Sequence, residues 1–320
     1  MKPLVSVCIN TYNRKKKLYS TLQSILKQTY KNIEIIIVDD CSTDNTEIFV
    51  KNKLLKLNDK IRYIRHKKNK GLAAGRNTAI LNSKGKYFAF CDDDDKWLPN
   101  FVEEFVSEAK KYNENWCFSC GTKYKNLLGT NVSTTFNYQG NLKNLIKKGY
   151  TPPVASQFYN LSTIKKIKGY NQKIKTGIDH DLWIRLAKIN IRIKFITNSL
   201  SLPNTKQTDK RITTDYFQRI NEIKKSLEIW KIDLIEMYNQ TFYYKFYDAY
   251  MRREQIKFFN AYLKDLNFVM IFRLMKNISL IDIFSSLSIS LLKILIKLFL
   301  PKFLIPKNNI KTIRPSLKIN

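Results

Sequence analysis

Four consecutive aspartates, Asp92 to Asp95, are the part of the sequence best suited to chemistry. They directly follow the apolar run Tyr87–Cys91, so they stand where a buried strand would meet a loop. Like charges this close repel one another, and a cation is expected to compensate them if they face one cleft. Carboxylate oxygens are the ligands that Mg²⁺ and Mn²⁺ prefer. Capping of the helix after Pro99 is a simpler role that suits Asp95 but does not explain four acids.

Other polar groups follow apolar runs earlier in the chain. They are Thr11, Tyr12, Asn13 and Arg14 after the run Leu4–Asn10, and Asp39 and Asp40 after the run Ile33–Val38. Parallel sheets bind ligands beyond the carboxyl ends of their strands, so these residues and the acidic run are expected to converge on one edge. The sequence therefore predicts a single polar cleft.

The elements that position this cleft alternate between strand and helix. The predicted strands are Leu4–Asn10, Ile33–Val38, Ile61–Ile64, Tyr87–Cys91 and Trp116–Tyr124, and the predicted helices are Lys15–Gln28, Thr43–Leu57 (N-cap Ser42 or Thr43), Leu72–Asn82 and Pro99–Tyr112. This alternation indicates an α/β fold with a mostly parallel sheet covered on both faces. After an irregular stretch at 126–179, the pattern predicts a helix at Asp181–Asn190, a strand at Ile191–Ile196 and mostly helix over Asp215–Leu266.

The composition narrows the class of protein. Its 320 residues, 44% of them hydrophobic, suffice for one large α/β domain and a smaller appendage. Lys and Arg number 57 against 26 acids, and the net charge of +31 attracts polyanions such as nucleic acid, an anionic membrane or phosphorylated substrates. The abundance of Lys, Asn and Ile throughout is equally consistent with the codon bias of an AT-rich genome.

The five cysteines do not suggest a disulfide framework, because their number is odd and their spacing irregular. Reduced thiols in a cytosolic protein fit better. Cys117 and Cys120 form one CxxC pair, but no second pair completes a zinc site, so we expect two thiols near a buried strand. The N-terminus lacks the apolar region of a signal peptide. No uncharged apolar stretch reaches the roughly 18 residues that span a bilayer.

Five segments together resemble the family 2 glycosyltransferases in order and spacing. They are SVCINTYNR, IIIVDDCSTDNT, NKGLAAGRN, FAFCDDDDKWLP and TGIDHDLWIRLA. The resemblance covers residues 1–205 and implies an inverting enzyme of the GT-A fold that uses a nucleotide-sugar donor. Residues 1–125 would form the nucleotide-sugar half and 126–205 the acceptor half. Residues 206–320 would form a helical extension without a family motif.

The resemblance also assigns donor and metal residues. Asp92 and Asp94 match the two acids of the family's DxD motif. Asp94 would be the direct ligand of Mn²⁺ or Mg²⁺, and Asp92 would lie against the ribose or a metal-bound water. Asp39 would accept the imide N–H of uracil or another base. The remaining donor-binding candidates are Asp93, Thr11, Tyr12, Asn13, Arg14 and Arg76. Plainer roles stay open, a turn for Asp39 and a solvated helix position for Arg76.

Inversion at the anomeric carbon needs a general base for the acceptor hydroxyl. The family pattern reads Glu-Asp-x-Asp, whereas here Ile178 stands before Asp179, so the first acid is missing. Asp179 aligns with the family's base. Asp181 is expected to cap or orient the helix that carries Trp183. His180 is an alternative base, a second metal contact or, more simply, a hydrogen-bonded residue near the acceptor.

The segment 278–306 is apolar but interrupted by a polar stripe at helical spacing. The stripe comprises Asp282, Ser286, Ser290, Lys293 and Lys297. This pattern predicts an amphipathic helix that lies in a membrane interface, with packing on the catalytic domain as the alternative. The basic surroundings favour peripheral contact with an anionic membrane.

The expected function is inverting transfer of a sugar from a nucleoside diphosphate, such as a UDP-sugar, to a hydroxyl of a glycan. A lipid-linked glycan for a bacterial capsule, lipopolysaccharide or O-antigen is the expected acceptor, at the cytoplasmic face of the membrane. A nucleotidyltransferase is disfavoured because SVCINTYNRKKK lacks the glycines of a phosphate loop. A nucleic-acid partner is not expected, because four acids lie in the predicted cleft and no nucleic-acid-binding motif is present.

Overall fold

The structure is a computed structural model of the chain. It describes residues 1–125, 131–135, 137–149, 156–203, 216–264 and 310–312. The predicted membrane-associating segment 278–306 lies outside these ranges. Among the described helices, none is both long and apolar enough to cross a membrane.

Strands and helices alternate along the first half of the chain and give way to two long helices. The strands are β1 (Val5–Thr11), β2 (Ile33–Asp39), β3 (Ile61–Arg65), β4 (Tyr87–Phe90), β5 (Lys96–Trp97), β6 (Trp116–Lys125), β7 (Asn131–Thr134), β8 (Gln139–Asn141), β9 (Gln157–Asn160), β10 (Arg192–Leu202) and β11 (Ile310–Thr312). The helices are α1 (Lys15–Leu26), α2 (Thr46–Phe49), α3 (Leu72–Asn82), α4 (Phe101–Ala109), α5 (Leu142–Lys147), α6 (Leu161–Lys166), α7 (Ile178–Lys188), α8 (Tyr216–Met237) and α9 (Gln240–Lys264), and a π-helical turn, Val50–Leu54, follows α2.

A single sheet connects these strands in the order β11-β7-β6-β9-β4-β1-β2-β3, with β10 paired to β6, β5 and β8. Strands β1 to β4 pair in parallel, as the apolar runs predicted. Strand β9 then joins β4 to β6 in antiparallel fashion, and β10 runs parallel to β6. The predicted α/β class with a helix-flanked sheet is confirmed, and β1 to β4 form its continuous parallel part.

Two apolar cores cover the two faces of the sheet. Val7 packs on one face with α1 and α4, and its neighbour Cys8 packs on the other with α3 and α7. The same alternation separates Cys117 from Cys120, which belong to opposite cores and are both buried and free. The expected buried thiols are therefore confirmed, and this CxxC pair cannot share a metal or a disulfide.

Three predicted helix starts were wrong by two or three residues. Asn45 precedes α2, so neither Ser42 nor Thr43 is its N-cap. The Ser42 N–H donates to Asp39 and the Thr43 N–H to Asn13, so hydrogen bonds from outside the helix hold both residues in the preceding loop. Helix α4 begins at Phe101, after Pro99. Helix α7 begins at Ile178, earlier than the predicted Asp181, so Asp179 lies in its first turn.

Helices α8 and α9 pack on the rest of the described structure through α7. Trp230 of α8 and Tyr250 of α9 are both almost fully buried and belong to the same core as Trp183 of α7. Burial of aromatic side chains of this size is a large apolar contribution to stability. The two helices therefore form a continuous layer with the helix that carries Asp179.

Candidate functional site

The carboxyl ends of the parallel strands bring the predicted polar residues to one edge of the sheet. Thr11 at the end of β1 pairs directly with Asp39 at the end of β2, and Asp39 pairs with Arg65 at the end of β3. Cys8 pairs with Phe90, so the acidic run leaves β4 beside the end of β1. The geometry matches the position at which open α/β sheets bind ligands.

The acidic run alternates between buried and accessible side chains. Asp93 and Asp95 are buried, at 4% and 7% exposure. The side chains of Asp92 and Asp94 are 33% and 21% exposed. Asp92 and Asp94 are therefore accessible to a ligand, whereas the side chains of Asp93 and Asp95 are buried in the protein.

Asp93 is held by the loop that follows β1. The Thr11 hydroxyl donates to Oδ2 of Asp93 at 2.8 Å, and Nη1 of Arg14 donates to Oδ1 at 3.2 Å. Burial raises the pKa of Asp93 to about 6 despite these two donors. Thr11 and Arg14, both candidates for donor binding, therefore also fix the acidic run in place.

Asp94 faces two cations. Nη1 of Arg14 lies 3.5 Å from its Oδ2, and Nζ of Lys17 lies 3.8 Å from the same atom. Sequence reasoning did not identify Lys17, although its position in the first turn of α1, three residues after Arg14, points it at the same edge. Both cations can also contact phosphate oxygens of a bound diphosphate.

Asp39 is fully buried and uses both carboxylate oxygens within the protein. Oδ1 accepts the Ser42 N–H at 2.8 Å, and Oδ2 accepts the Tyr63 hydroxyl at 2.6 Å. Burial and the Asp39 carboxylate raise the pKa of Tyr63, so this hydroxyl stays a donor. Tyr63 was not predicted as a site residue. Its position two residues before the end of β3, near the edge of the sheet where the other site residues lie, could have identified it.

The loops after β1 and β2 are tied together by Asn13. This residue has a left-handed backbone, φ +56°, which asparagine tolerates better than most residues. Its Oδ1 accepts the Thr43 N–H at 2.7 Å, and its own N–H donates to the Ser42 hydroxyl at 2.9 Å. Tyr12 beside it is 46% exposed. Asn13 therefore shapes the wall of the cleft, and Tyr12 presents a ring to the surface.

Asp40 organises the turn that leads into α3. Its carboxylate accepts the N–H groups of Lys70 at 2.8 Å and Gly71 at 2.7 Å, and it lies 2.7 Å from Nδ1 of His66. The other ring nitrogen of His66 lies 2.9 Å from the Thr78 hydroxyl. These contacts fix the start of the helix that carries Arg76.

Arg76 links the acidic run to the predicted base. Nη2 donates to Oδ1 of Asp92 at 3.0 Å, and Nη1 donates to Oδ1 of Asp179 at 2.6 Å. The side chain is 1% exposed, and the guanidinium carbon lies 4.9 and 5.1 Å from the ring centroids of Phe90 and Tyr170, which also contact each other. The solvated helix position considered for Arg76 is wrong, because its helix packs against the sheet at this point.

Asp179 is positioned to accept a proton. Its side chain is 20% exposed, and one oxygen is bound to Arg76. Burial raises the pKa of Asp179 above the ordinary aspartate range, with Asp92 adding to the rise and Arg76 opposing it. A carboxylate with a raised pKa is a stronger base than a solvated one, provided that it is ionised.

His180, Asp181 and Trp183 form the support behind Asp179. Nδ1 of His180 lies 3.4 Å from the Tyr250 hydroxyl, and burial together with nearby cations lowers the pKa of His180 to about 3, which makes it a weak base. The Asp181 carboxylate accepts from Nε of Arg185 and from Nε1 of Trp230, so it orients α7 rather than capping it. Trp183 is fully buried in the core.

Helix α8 supports the first turn of α7 from behind, which sequence reasoning missed because residues beyond 205 carry no family motif. The Ser226 hydroxyl donates to the Thr176 carbonyl at 2.8 Å. Gly177 has φ +83°, and a Cβ there would lie 2.9 Å from the Trp230 ring. The glycine therefore permits both the left-handed turn and the close approach of Trp230.

Replacing Gly177 with alanine is expected to lower the free energy of unfolding by about 2–4 kcal/mol. Roughly 1–2 kcal/mol comes from the left-handed backbone and the rest from overpacking against Trp230. In a Trp230→Phe background the same change should lower the free energy of unfolding only by the part that comes from the left-handed backbone, because the indole atoms that a Cβ would contact are absent. Urea unfolding of the four proteins measures both values. Equal losses in the two backgrounds would contradict the contact.

The acidic edge fits a divalent cation shared with a substrate. Among the described residues, no three acidic, histidine or cysteine side chains converge into a protein cage. Mg²⁺ is held in such sites by one or two carboxylates together with substrate phosphates and water. The two accessible carboxylates of the run, Asp92 and Asp94, fit this donor set.

Comparisons with known proteins agree with this geometry. The sequence model of the family described as Glycosyl transferase family 2 matches residues 6–170. An uncharacterized glycosyltransferase of Rickettsia prowazekii is 31% identical over 195 residues, which cover 59% of this chain and 60% of that protein. Chondroitin synthase of Pasteurella multocida is 30% identical over 190 residues, covering 58% of this chain and 19% of the synthase. The chain thus spans three-fifths or less of the length of these relatives.

Among solved structures, residues 1–349 of S. aureus TarS in complex with UDP-GlcNAc share the fold. The TM-score is 0.62 at 18% identity, and the match covers 79% of this chain and 72% of the TarS chain. The share of this chain that is matched in TarS is larger than the segment matched by the family model.

Proposed function

The chain belongs to glycosyl transferase family 2, and from the geometry of its site we propose that it transfers a sugar with inversion from a nucleoside diphosphate to a glycan hydroxyl. Glycosyl transfer is the activity of the family. The donor, the acceptor and the stereochemistry are the proposed parts. The observation that supports them best is Arg76, which joins Asp92 to Asp179 through one buried guanidinium.

The donor half of the proposal rests on the loops around Asp39 and the acidic run. A nucleotide base would lie beside the loops that Thr11 and Asp39 hold in place at the ends of β1 and β2, and its diphosphate would extend toward Arg14 and Asp94. Mn²⁺ or Mg²⁺ held by Asp94 and Asp92 would supply Lewis-acid stabilisation of the diphosphate as it leaves. Arg14 and Lys17, which already lie against Asp94, would add positive charge at the same place.

The acceptor half rests on Asp179. The carboxylate oxygen that does not bind Arg76 would take the proton of the acceptor hydroxyl as the hydroxyl oxygen attacks the anomeric carbon. The bond from this carbon to the diphosphate breaks as the new glycosidic bond forms, and the nucleoside diphosphate leaves with the electron pair. Arg76 holds the other oxygen of Asp179 at 2.6 Å, which keeps the base at a fixed position relative to the donor acids.

The substrates and the location are proposed from chemistry and from relatives. We expect a UDP-sugar donor, because TarS, which shares the fold, was solved with UDP-GlcNAc. We expect the acceptor to be a lipid-linked glycan of a bacterial surface polysaccharide, because chondroitin synthase is among the relatives. Peripheral contact with the inner face of the membrane follows from the net charge of +31 and the predicted amphipathic segment.

A thermal-shift screen of nucleotide sugars with and without Mn²⁺ tests the donor assignment. A UDP-sugar should raise the unfolding midpoint, because a ligand of the folded state stabilises it by mass action. Mn²⁺ should increase that shift. In Asp94→Ala the Mn²⁺-dependent part should largely disappear, whereas Asp59→Ala, an exposed aspartate before β3, should behave as wild type. A full Mn²⁺-dependent shift in Asp94→Ala would overturn the metal assignment.

A further inference from the structure

A cationic cluster on α8 and α9 surrounds one buried carboxylate near His180. Nη2 and Nε of Arg219 lie 2.9 and 3.0 Å from Oε2 of Glu254. Nε of Arg253 lies 3.5 Å from Oε1, which Nζ of Lys257 also contacts. Among the residues that the structure describes, three cations contact this one carboxylate and leave two positive charges in excess.

The cations of the cluster are accessible, and the carboxylate is not. Burial alone would raise the pKa of Glu254, but Lys257, Arg219 and Arg253 lower it to about 2, so the carboxylate is ionised at any pH of interest. Its side chain is 1% exposed, whereas those of Arg219, Arg253 and Lys257 are 20%, 30% and 56% exposed. An anion from solution can therefore reach the cations but not displace the carboxylate.

The cluster adjoins the first turn of α7, which carries Asp179. The Arg253 guanidinium carbon lies 4.4 Å from the centroid of the Tyr250 ring, and the Tyr250 hydroxyl lies 3.4 Å from Nδ1 of His180. His180 directly follows Asp179. Burial is the largest cause that lowers the pKa of His180, and the charges of Arg253 and Lys257 are the next largest. The electrostatic field of the cluster therefore extends to this turn.

Two buried nitrogens in this region lack hydrogen-bond partners among the described residues. They are Nε2 of His180 and Nε of Arg253, and the latter is held only by its 3.5 Å ion pair with Glu254. An unpaired buried polar group costs about 1–3 kcal/mol, so such groups are uncommon unless a ligand or water completes them. Their presence beside uncompensated charge points to a bound group that carries acceptor oxygens.

We propose that Arg219, Arg253 and Lys257 bind a phosphate ester on the acceptor, at a distance from the hydroxyl that reacts. This inference rests on the proposed transfer reaction, because it identifies the acceptor side by Asp179. A phosphate monoester carries nearly two negative charges and matches the excess of the cluster, whereas a carboxylate carries one. Arginine guanidinium groups also match the geometry of phosphate oxygens.

Titration of glycerol 3-phosphate into the full chain saturated with UDP and Mg²⁺ tests the site, because the donor cleft is then filled. Calorimetry should show binding of glycerol 3-phosphate, weaker binding of glycerate, which has one charge, and none of glycerol. Arg253→Gln and Lys257→Gln should each weaken the binding of glycerol 3-phosphate about tenfold or more, since hydrogen bonds to charged groups are of that magnitude. Both variants keep the contact between Arg219 and Glu254.

Lys111→Gln is the matched control, since it removes the same charge from an exposed ion pair on the surface after α4. It should bind glycerol 3-phosphate as wild type does, and Lys257→Arg should retain most of the affinity. No binding by wild type, equal binding of glycerate, or equal weakening in Lys111→Gln would overturn the proposal. Cosedimentation with phosphatidic acid vesicles without binding of the soluble ester would overturn it too, because the contact would then be with a lipid surface.

Donor hydrolysis separates this proposal from the transfer reaction on which it rests. Slow release of UDP from a UDP-sugar to water needs the donor cleft but not the cluster. Arg253→Gln and Lys257→Gln should therefore release UDP at the wild-type rate. Absence of release by wild type with every UDP-sugar would count against the proposed function, whereas normal release without phosphate-ester binding would count against the cluster alone.

Discussion

Replacing Asp179 with asparagine is expected to lower kcat for glycan transfer by about 10²- to 10⁴-fold, the range that a positioned general base contributes. Asparagine keeps the shape of the side chain and can still accept from Nη1 of Arg76, but it cannot take the proton of the acceptor hydroxyl. The affinity for UDP should change little, because Asp179 lies on the acceptor side. Single-turnover transfer and UDP binding by calorimetry measure the two quantities.

Two further variants decide whether Asp179 is the base. His180→Gln should retain most of the activity, because the pKa of His180 is lowered to about 3 and its imidazole is buried against Tyr250. Asp59→Asn, an exposed change of the same kind, should be indistinguishable from wild type. A larger loss in His180→Gln than in Asp179→Asn would assign the base to His180 instead.

The pH dependence of kcat/KM also tests whether Asp179 is the general base. Burial raises the pKa of Asp179, and only the ionised carboxylate can act as a base. Activity should therefore fall as the pH is lowered through this raised value. The acid limb is expected above the ordinary aspartate pKa of about 3.9. An acid limb at or below that value would contradict a desolvated base.

The donor edge was predictable because it depends on local pattern. Each parallel strand ends where its apolar run ends, so the order of elements alone placed Thr11, Asp39 and the Asp92 run on one edge. The exposure of Asp92 and Asp94 does not follow from the pattern, because the run forms a turn after β4 in which the Asp95 N–H donates to the Asp92 carbonyl. The resemblance of five ordered segments to the family then suggested donor, metal and base roles, which no single residue could have indicated.

The remaining features depend on tertiary contacts that no sequence period encodes. The bridge from Arg76 to Asp179 joins residues 103 positions apart. The hydrogen bond from Trp230 to Asp181 comes from α8, a helix without a family motif. The need for glycine at position 177 becomes clear only from its left-handed backbone and the nearby Trp230 ring. The start of α2 was misplaced because the side chains of Asp39 and Asn13 accept the N–H groups of Ser42 and Thr43 and hold both residues in the preceding loop.

Removing the guanidinium by Arg76→Met is expected to lower the free energy of unfolding by about 3–5 kcal/mol, the cost of leaving a buried charge without its partner. Asp92 and Asp179 would both lose their shared cation, and the base would lose its fixed position, so transfer should fall as well. Arg62→Met removes an arginine that is 36% exposed and paired with Glu34, and it should cost no more than about 1 kcal/mol. Urea unfolding of both variants makes the comparison.

The stability loss in Arg76→Met should depend on pH in a defined direction. Without the cation, the pKa of Asp179 in the folded protein rises further above its unfolded value, because burial is no longer opposed. A raised folded pKa means that the folded state holds the proton more tightly, so stability falls as the pH rises from about 4 through that value. The loss should therefore be smaller near pH 5 than at pH 8.

The double variant Arg76→Met/Asp179→Asn should recover part of the loss at pH 8, because it removes the charge that was left unpaired. A loss independent of pH and not reduced in the double variant would show that Arg76 acts by packing against Phe90 and Tyr170 rather than by charge.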